Sequence, residues 1–117
     1  MIELSWPDRS LFPNSRVQHR FNKDKRDKAR NEAFYMVKSG AFANLSGRLC
    51  LHVSFFPPDL RRRDLDGMFS ACKYYFDGIA LALGVDDYDF SFKIERLSPV
   101  KGGKVVVKIT CTENETV

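Results

Sequence analysis

Ile2, Leu4 and Trp6 alternate with Glu3 and Ser5, the two-residue period of a short strand, and Pro7 ends it. The period then lapses through PDRSLFPNSRVQHRF, whose two prolines and three arginines read as a basic loop. From Asn22 to Ser39 the spacing turns helical, with Ala29, Ala33, Phe34, Met36 and Val37 on one side, and Gly40 is a natural stop. RLCLHVSFF alternates again: Leu49, Leu51, Val53 and Phe55 share one face, and Pro57 and Pro58 close the strand. Between Leu65 and Leu83 apolar residues recur every three or four positions, so one helix is expected there, ended by Gly84. FSFKIERL and KVVVKITC are two further strands, and the Gly102-Gly103 pair between them suits a hairpin turn. The predicted order is β-α-β-α-β-β, an α+β fold with two helices on a mostly antiparallel sheet, as a single domain over residues 1–117. The tail ENETV is expected to fray.

Composition adds limits. At 117 residues with 44% hydrophobic positions, the chain suffices for one core and not for two. No run of about 18 uncharged apolar residues occurs, and MIELSWPDRS has no apolar signal-peptide core, so the expectation is a cytoplasmic protein without membrane contact. Cys50, Cys72 and Cys111 are an odd set at wide spacings and read as buried, reduced thiols. With only His19 and His52 beside them, they make a poor zinc site, and His52 reads as a strand residue. Charge is distributed unevenly. Residues 1–63 hold 13 Lys and Arg against 6 Asp and Glu, a balance of +7, whereas residues 64–117 hold 6 against 9, a balance of −3. A basic first half points to a polyanionic partner.

The sign changes inside RRRDLDGMFSACKYYFD, residues 61–77, where Arg61, Arg62 and Arg63 run into Asp64 and Asp66. Asp66, Ser70, Lys73 and Asp77 follow at steps that place them on one helix face. A helix cap by Asp64 or Asp66 and an i,i+4 pair between Lys73 and Asp77 would explain part of this pattern. One cap explains one aspartate. Two neighbouring carboxylates repel unless a cation shares them, and hard oxygen donors suit Mg²⁺ or Mn²⁺. Such an ion would let a phosphodiester approach while the arginines hold flanking phosphates. A second acidic group, Asp86, Asp87 and Asp89, lies beyond the helix. About 18 helical residues separate the two groups by roughly 27 Å, too far for one ion within one chain. In a two-fold homodimer with antiparallel helices the groups of opposite subunits can meet; a solvated acidic turn is the alternative.

P-x-x-R-R-R-D-L-D before a helix resembles the RusA family of Holliday junction resolvases. WPDRSLFPNSR is similar to that family's amino-terminal proline-and-asparagine loop, GVDDYDF to its acidic turn and PVKGGKVVVKIT to its carboxy-terminal hairpin, in the same order along the chain. The resemblance implies a small α+β homodimer that cuts four-way DNA junctions by paired, Mg²⁺-dependent incisions. It assigns Asp64, Asp66 and Asp87 to the metal, with Asp86 as a neighbour able to substitute, and Lys73 to catalysis. Arg61, Arg62 and Arg63 would contact backbone phosphates. Asn14, Arg16, Arg20, Lys25 and Arg30 of the first loop and helix would track the DNA arms. The sequence departs from the family in two places: Gly67 replaces an asparagine, and Lys73 stands seven residues after Asp66, with Ser70 in the usual lysine position. The shift is nearly one turn, about 4.5 Å along the helix.

The expected mechanism has the aspartates hold one or two ions that activate water for in-line attack, with Lys73 and an arginine stabilising the developing charge. A junction-binding module without cleavage is the second reading. A general RNA or single-strand binder is the third, and KGGKVVVKI counts against it because it lacks stacking aromatics.

Overall fold

The computed structural model describes residues 1–14, 22–40, 42, 45 and 47–111. Arg16, Arg20, His19 and the ENETV tail lie outside the described residues. Four strands, β1 (Ile2–Ser5), β2 (Leu49–Phe56), β3 (Phe90–Arg96) and β4 (Lys104–Cys111), form one sheet in the order β1-β4-β2-β3. The helices are α1 (Lys23–Lys38), α2 (Leu65–Ala71) and α3 (Lys73–Leu83). Alternation decides which face each strand buries. Ile2, Leu4, Leu51, Val53, Phe55, Val105 and Val107 are buried, and Ala33 and Val37 of α1 and Phe76 and Ile79 of α3 complete the same core. On the other face, half-buried His52 stands in register between the exposed Lys93 and Lys108.

Three expectations need correction. The sheet is mostly antiparallel as expected, β4 pairing antiparallel with both β1 and β2, but the expected β3–β4 pairing is not made and β3 lies parallel to β2. The glycine turn before β4 therefore does not close a β3–β4 hairpin, because β2 lies between those strands. After β3 the chain wraps the end of β2, with Leu97 N–H donating to Phe55 O at 2.8 Å and Val100 N–H to Pro57 O at 2.9 Å. Gly103 sits where a Cβ would come within 3.1 Å of Pro58 and Trp6, so glycine answers to a close approach as well as to the turn. Second, the long helix is two helices: at Cys72 the N–H bonds Phe69 O, one residue nearer than in an α-helix, and the regular helix is interrupted there. Third, Cys50 and Cys72 are buried free thiols, but Cys111 is exposed at the end of β4. The basic loop also holds a 3-10 turn at Arg9–Leu11, capped by Asp8 accepting from Ser10 N–H at 3.0 Å.

Two contacts fix the helices. Phe69 of α2, Phe76 of α3 and Phe92 of β3 stack with centroids 4.8 to 5.3 Å apart, tying both halves of the broken helix to the edge strand. Each such pair contributes about 0.5–1.5 kcal/mol beyond burial. On the other side, Tyr75 donates its hydroxyl to Ser5 O at 2.6 Å, while Glu32 of α1 accepts from Ser5 N–H at 2.8 Å. Burial, with Glu32 nearby, pushes the Tyr75 phenol far up, so it stays a donor.

Gly78 lets α1 and α3 touch: a Cβ there would lie 2.1 Å from the backbone oxygen of Arg30. Gly78→Ala is expected to lower stability by about 1–3 kcal/mol through overpacking. Gly67→Ala, in α2 with nothing within 4 Å, should raise it by roughly 0.5 kcal/mol through helix propensity. Urea denaturation of the two variants checks the pair; equal and small effects would overturn the close-packing account.

Candidate nucleic-acid and metal site

The loop from β2 to α2 is built around Asp59. After Pro57 and Pro58, its Oδ1 accepts from Arg61 N–H at 2.9 Å, an Asx turn, and from Arg63 Nη1 at 2.9 Å. Arg63 Nη1 also reaches the Asp59 and Arg61 carbonyls, and its guanidinium lies 5.7 Å from the centroid of the Trp6 ring. Arg63 is therefore engaged within the chain, its side chain only 18% exposed, whereas Arg61 and Arg62 are exposed. Arg96, at the end of β3, donates Nη2 to Arg63 O at 2.7 Å. That carbonyl belongs to the peptide bond leading into Asp64, so β3 clamps the start of α2. Neither Asp59 nor Arg96 figures in the sequence reading. The Pro-Pro-Asp run was a visible turn signal for the first; nothing local signals the second.

Asp64 is the N-cap residue of α2 with extended backbone, yet its carboxylate makes no cap hydrogen bond. Asp66 lies in the first turn. Both are exposed, and neither has a side-chain partner among the described residues. The pair thus makes no side-chain cap hydrogen bond, although Asp64 occupies the N-cap and Asp66 the first turn of α2, where the helix dipole favours negative charge. Hard oxygen donors of this kind are what a divalent cation such as Mg²⁺ would use, with water and phosphate in its remaining positions. Among the described residues no three His, Cys, Asp or Glu side chains come together, so a single chain does not bring Asp64, Asp66 and the later acids to one point. Asp86 caps a 3-10 turn at Asp87–Asp89 by accepting from Tyr88 N–H at 2.9 Å; Asp87 is exposed with no such bond.

Lys73 opens α3 beyond the break. Its Nζ lies 3.2 Å from Asp77 Oδ2 and 5.4 Å from the centroid of the Tyr74 ring, and the side chain is 63% exposed. Ser70 is exposed on α2. Of the basic residues assigned to the first loop and helix, Lys25 pairs with Asp8 at 3.7 Å and Arg30 with Asp27. Asn14 is exposed in a turn.

The Arg63 hydrogen bond first, and then the Arg61 N–H, hold the Asp59 carboxyl below its ordinary 3.8. A depressed folded-state value gives stability that is complete above pH 3.8 and is lost as pH falls through the folded value. Asp59→Asn should therefore melt earlier than the wild type at pH 6, with the gap closing as the pH drops below 3.8. Thermal melts across that range check it; a gap independent of pH would assign the effect to shape rather than charge. Arg96→Ala should leave the fold intact and speed amide exchange at residues 63–66, read by hydrogen exchange.

Among the described residues no helix is long and apolar enough to cross a membrane. No protein-family model matches the sequence. The chain is similar to an uncharacterized protein of Xylella fastidiosa (strain Temecula1), 38% identical over 114 residues, with 93% of this chain and 74% of the relative covered. At that identity and coverage, the chain belongs to the same family as this Xylella protein.

Proposed function

We propose that the chain is a Mg²⁺-dependent endonuclease of the RusA kind, acting as a homodimer on four-way DNA junctions. The observation that carries this reading is the acid pair: Asp64 and Asp66 stand exposed and unpartnered on a turn that Asp59, Arg63 and Arg96 hold in place. Neither carboxylate makes a cap hydrogen bond or an ion pair among the described residues, which leaves both open to a ligand, while the dipole of α2 favours their charge. Asp64 and Asp66 would hold the ion, Mn²⁺ serving in place of Mg²⁺, with Asp87 contributed by the second subunit. Asp87 suits that role better than Asp86, whose carboxylate already caps a turn. When bound, the ion neutralises phosphate charge and activates water. Arg61 and Arg62, exposed beside the acid pair, supply phosphate contacts, and a basic first half draws the polyanion in. Lys73 stabilises the leaving oxygen once DNA competes it away from Asp77.

The engagement of Lys73 with Asp77 also favours a second reading, a protein of the same family that binds junctions without cutting them. A labelled four-way junction incubated with and without Mg²⁺ separates the two. The wild type should nick symmetrically only with the ion, and Asp66→Asn should bind and not nick. Binding without nicking would leave the second reading standing, and equal affinity for linear duplex would sink both.

Lys73→Ala should slow cleavage by about 10²- to 10³-fold with junction affinity within about twofold, the signature of a group acting on the transition state. Single-turnover rates give the answer; an unchanged rate would move the role to another cation.

A further inference from the structure

A cleft of about 420 Å³ opens beside the turn that carries the acid pair. Its lining is of two chemical kinds. Leu60, Leu97 and the two prolines at positions 57 and 99 give apolar surface, and Leu60 is 89% exposed. A single exposed leucine is ordinary, but two in one basic cleft form a surface that a partner of matching chemistry would cover. Arg61 and Arg96 supply the charge, since the carboxylate in the lining, Asp59, is already paired with Arg63 at 2.9 Å. Arg96 gives one Nη2 bond to Arg63 O and keeps further donors in its fork. The walls are preformed: Leu97 and Val100 are hydrogen-bonded to Phe55 and Pro57, and the Asx turn fixes the opposite stretch.

We propose that this cleft takes one unstacked nucleotide of a DNA strand, its base against the leucine and proline surface and its phosphate on Arg61 and Arg96. The ligand must carry negative charge and a flat apolar face together, and a nucleotide freed from its stack has both. The inference rests on the nucleic-acid reading above and adds where the strand is opened: beside the peptide that leads into Asp64. Leu60, standing out from the rim, would then hold the strand apart as apolar wedges do in kinked DNA.

The test needs neither metal nor cleavage. ¹⁵N-labelled full chain is titrated with single-stranded dT tetranucleotide, with inorganic phosphate as a parallel arm. Saturable amide shifts are expected at residues 59–63 and 96–98, and Leu60→Asp, at a site too exposed to disturb folding, should weaken binding at least tenfold. Leu97→Asp serves as the second variant. No shift at these residues, the same shifts with phosphate alone, or shifts that track protein concentration because a second copy fills the cleft would each overturn the inference. Junction nicking by a wild type that shows no cleft shifts removes this inference and leaves the nuclease reading. Cleft shifts in a protein that never nicks do the reverse.

Discussion

β2 is paired along both edges, antiparallel to β4 and parallel to β3, and the other elements take their positions from it. Leu51, Val53 and Phe55 are fully buried beneath the helices, so the strand cannot slip by one residue without exposing all three. Its last carbonyls then continue the work. Phe55 O and Pro57 O accept from Leu97 and Val100, which carries the chain after β3 around the end of the strand and brings Arg96 to the turn before α2. The candidate site is thus a by-product of how the sheet is closed at one corner.

Electrostatics at that corner follow from the same geometry. Three successive arginines would repel one another on a loose loop. Here Arg63 turns inward to Asp59, two carbonyls and the Trp6 face, while Arg61 and Arg62 stay in solvent. Arg96 adds a fourth cation against a carbonyl oxygen rather than a carboxylate, so it anchors the backbone without neutralising Asp64. The acid pair is left without an ion-pair partner among the described residues.

How much of this was legible in the sequence differs by element. The strand faces of β2 and β4 and the span of α1 follow from local periodicity, since burial on one face leaves a plain two- or 3.6-residue trace. The mixed sheet does not, because Gly102-Gly103 is an equally good turn whether the next strand pairs with β3 or passes it; the pairing of β4 with β1 and β2 rests on long-range contacts that leave no local trace. The break at Cys72 is hidden for a similar reason: apolar spacing runs through it unaltered, and the Phe69–Phe76–Phe92 cluster joins the two helices through an edge strand far along the chain. Within the candidate site, the acid pair and arginine run are visible as a motif, and the Asp59 turn as a Pro-Pro-Asp signal. Arg96 is invisible, because its partner is a backbone oxygen 33 positions earlier.

The central place of β2 has a consequence for the order of events in folding. Leu49 pairs with Cys111 and Phe56 with Lys104, and on the other edge Leu49 meets Phe90, so no neighbour of β2 is a local hairpin partner. Every pairing of this strand closes a long loop, and such topologies fold slowly because the loop entropy must be met before any contact repays it. As the chain is synthesised, an apolar strand emerges and remains with both edges open until β3 and then β4 follow. The helices α1, α2 and α3 cover its buried face in the folded chain, and at these lengths they depend on that packing for their own stability. The turn bearing Asp64 is tied through Arg63 O to Arg96, 33 positions later in sequence, so completing the site depends on one of these long loops being closed.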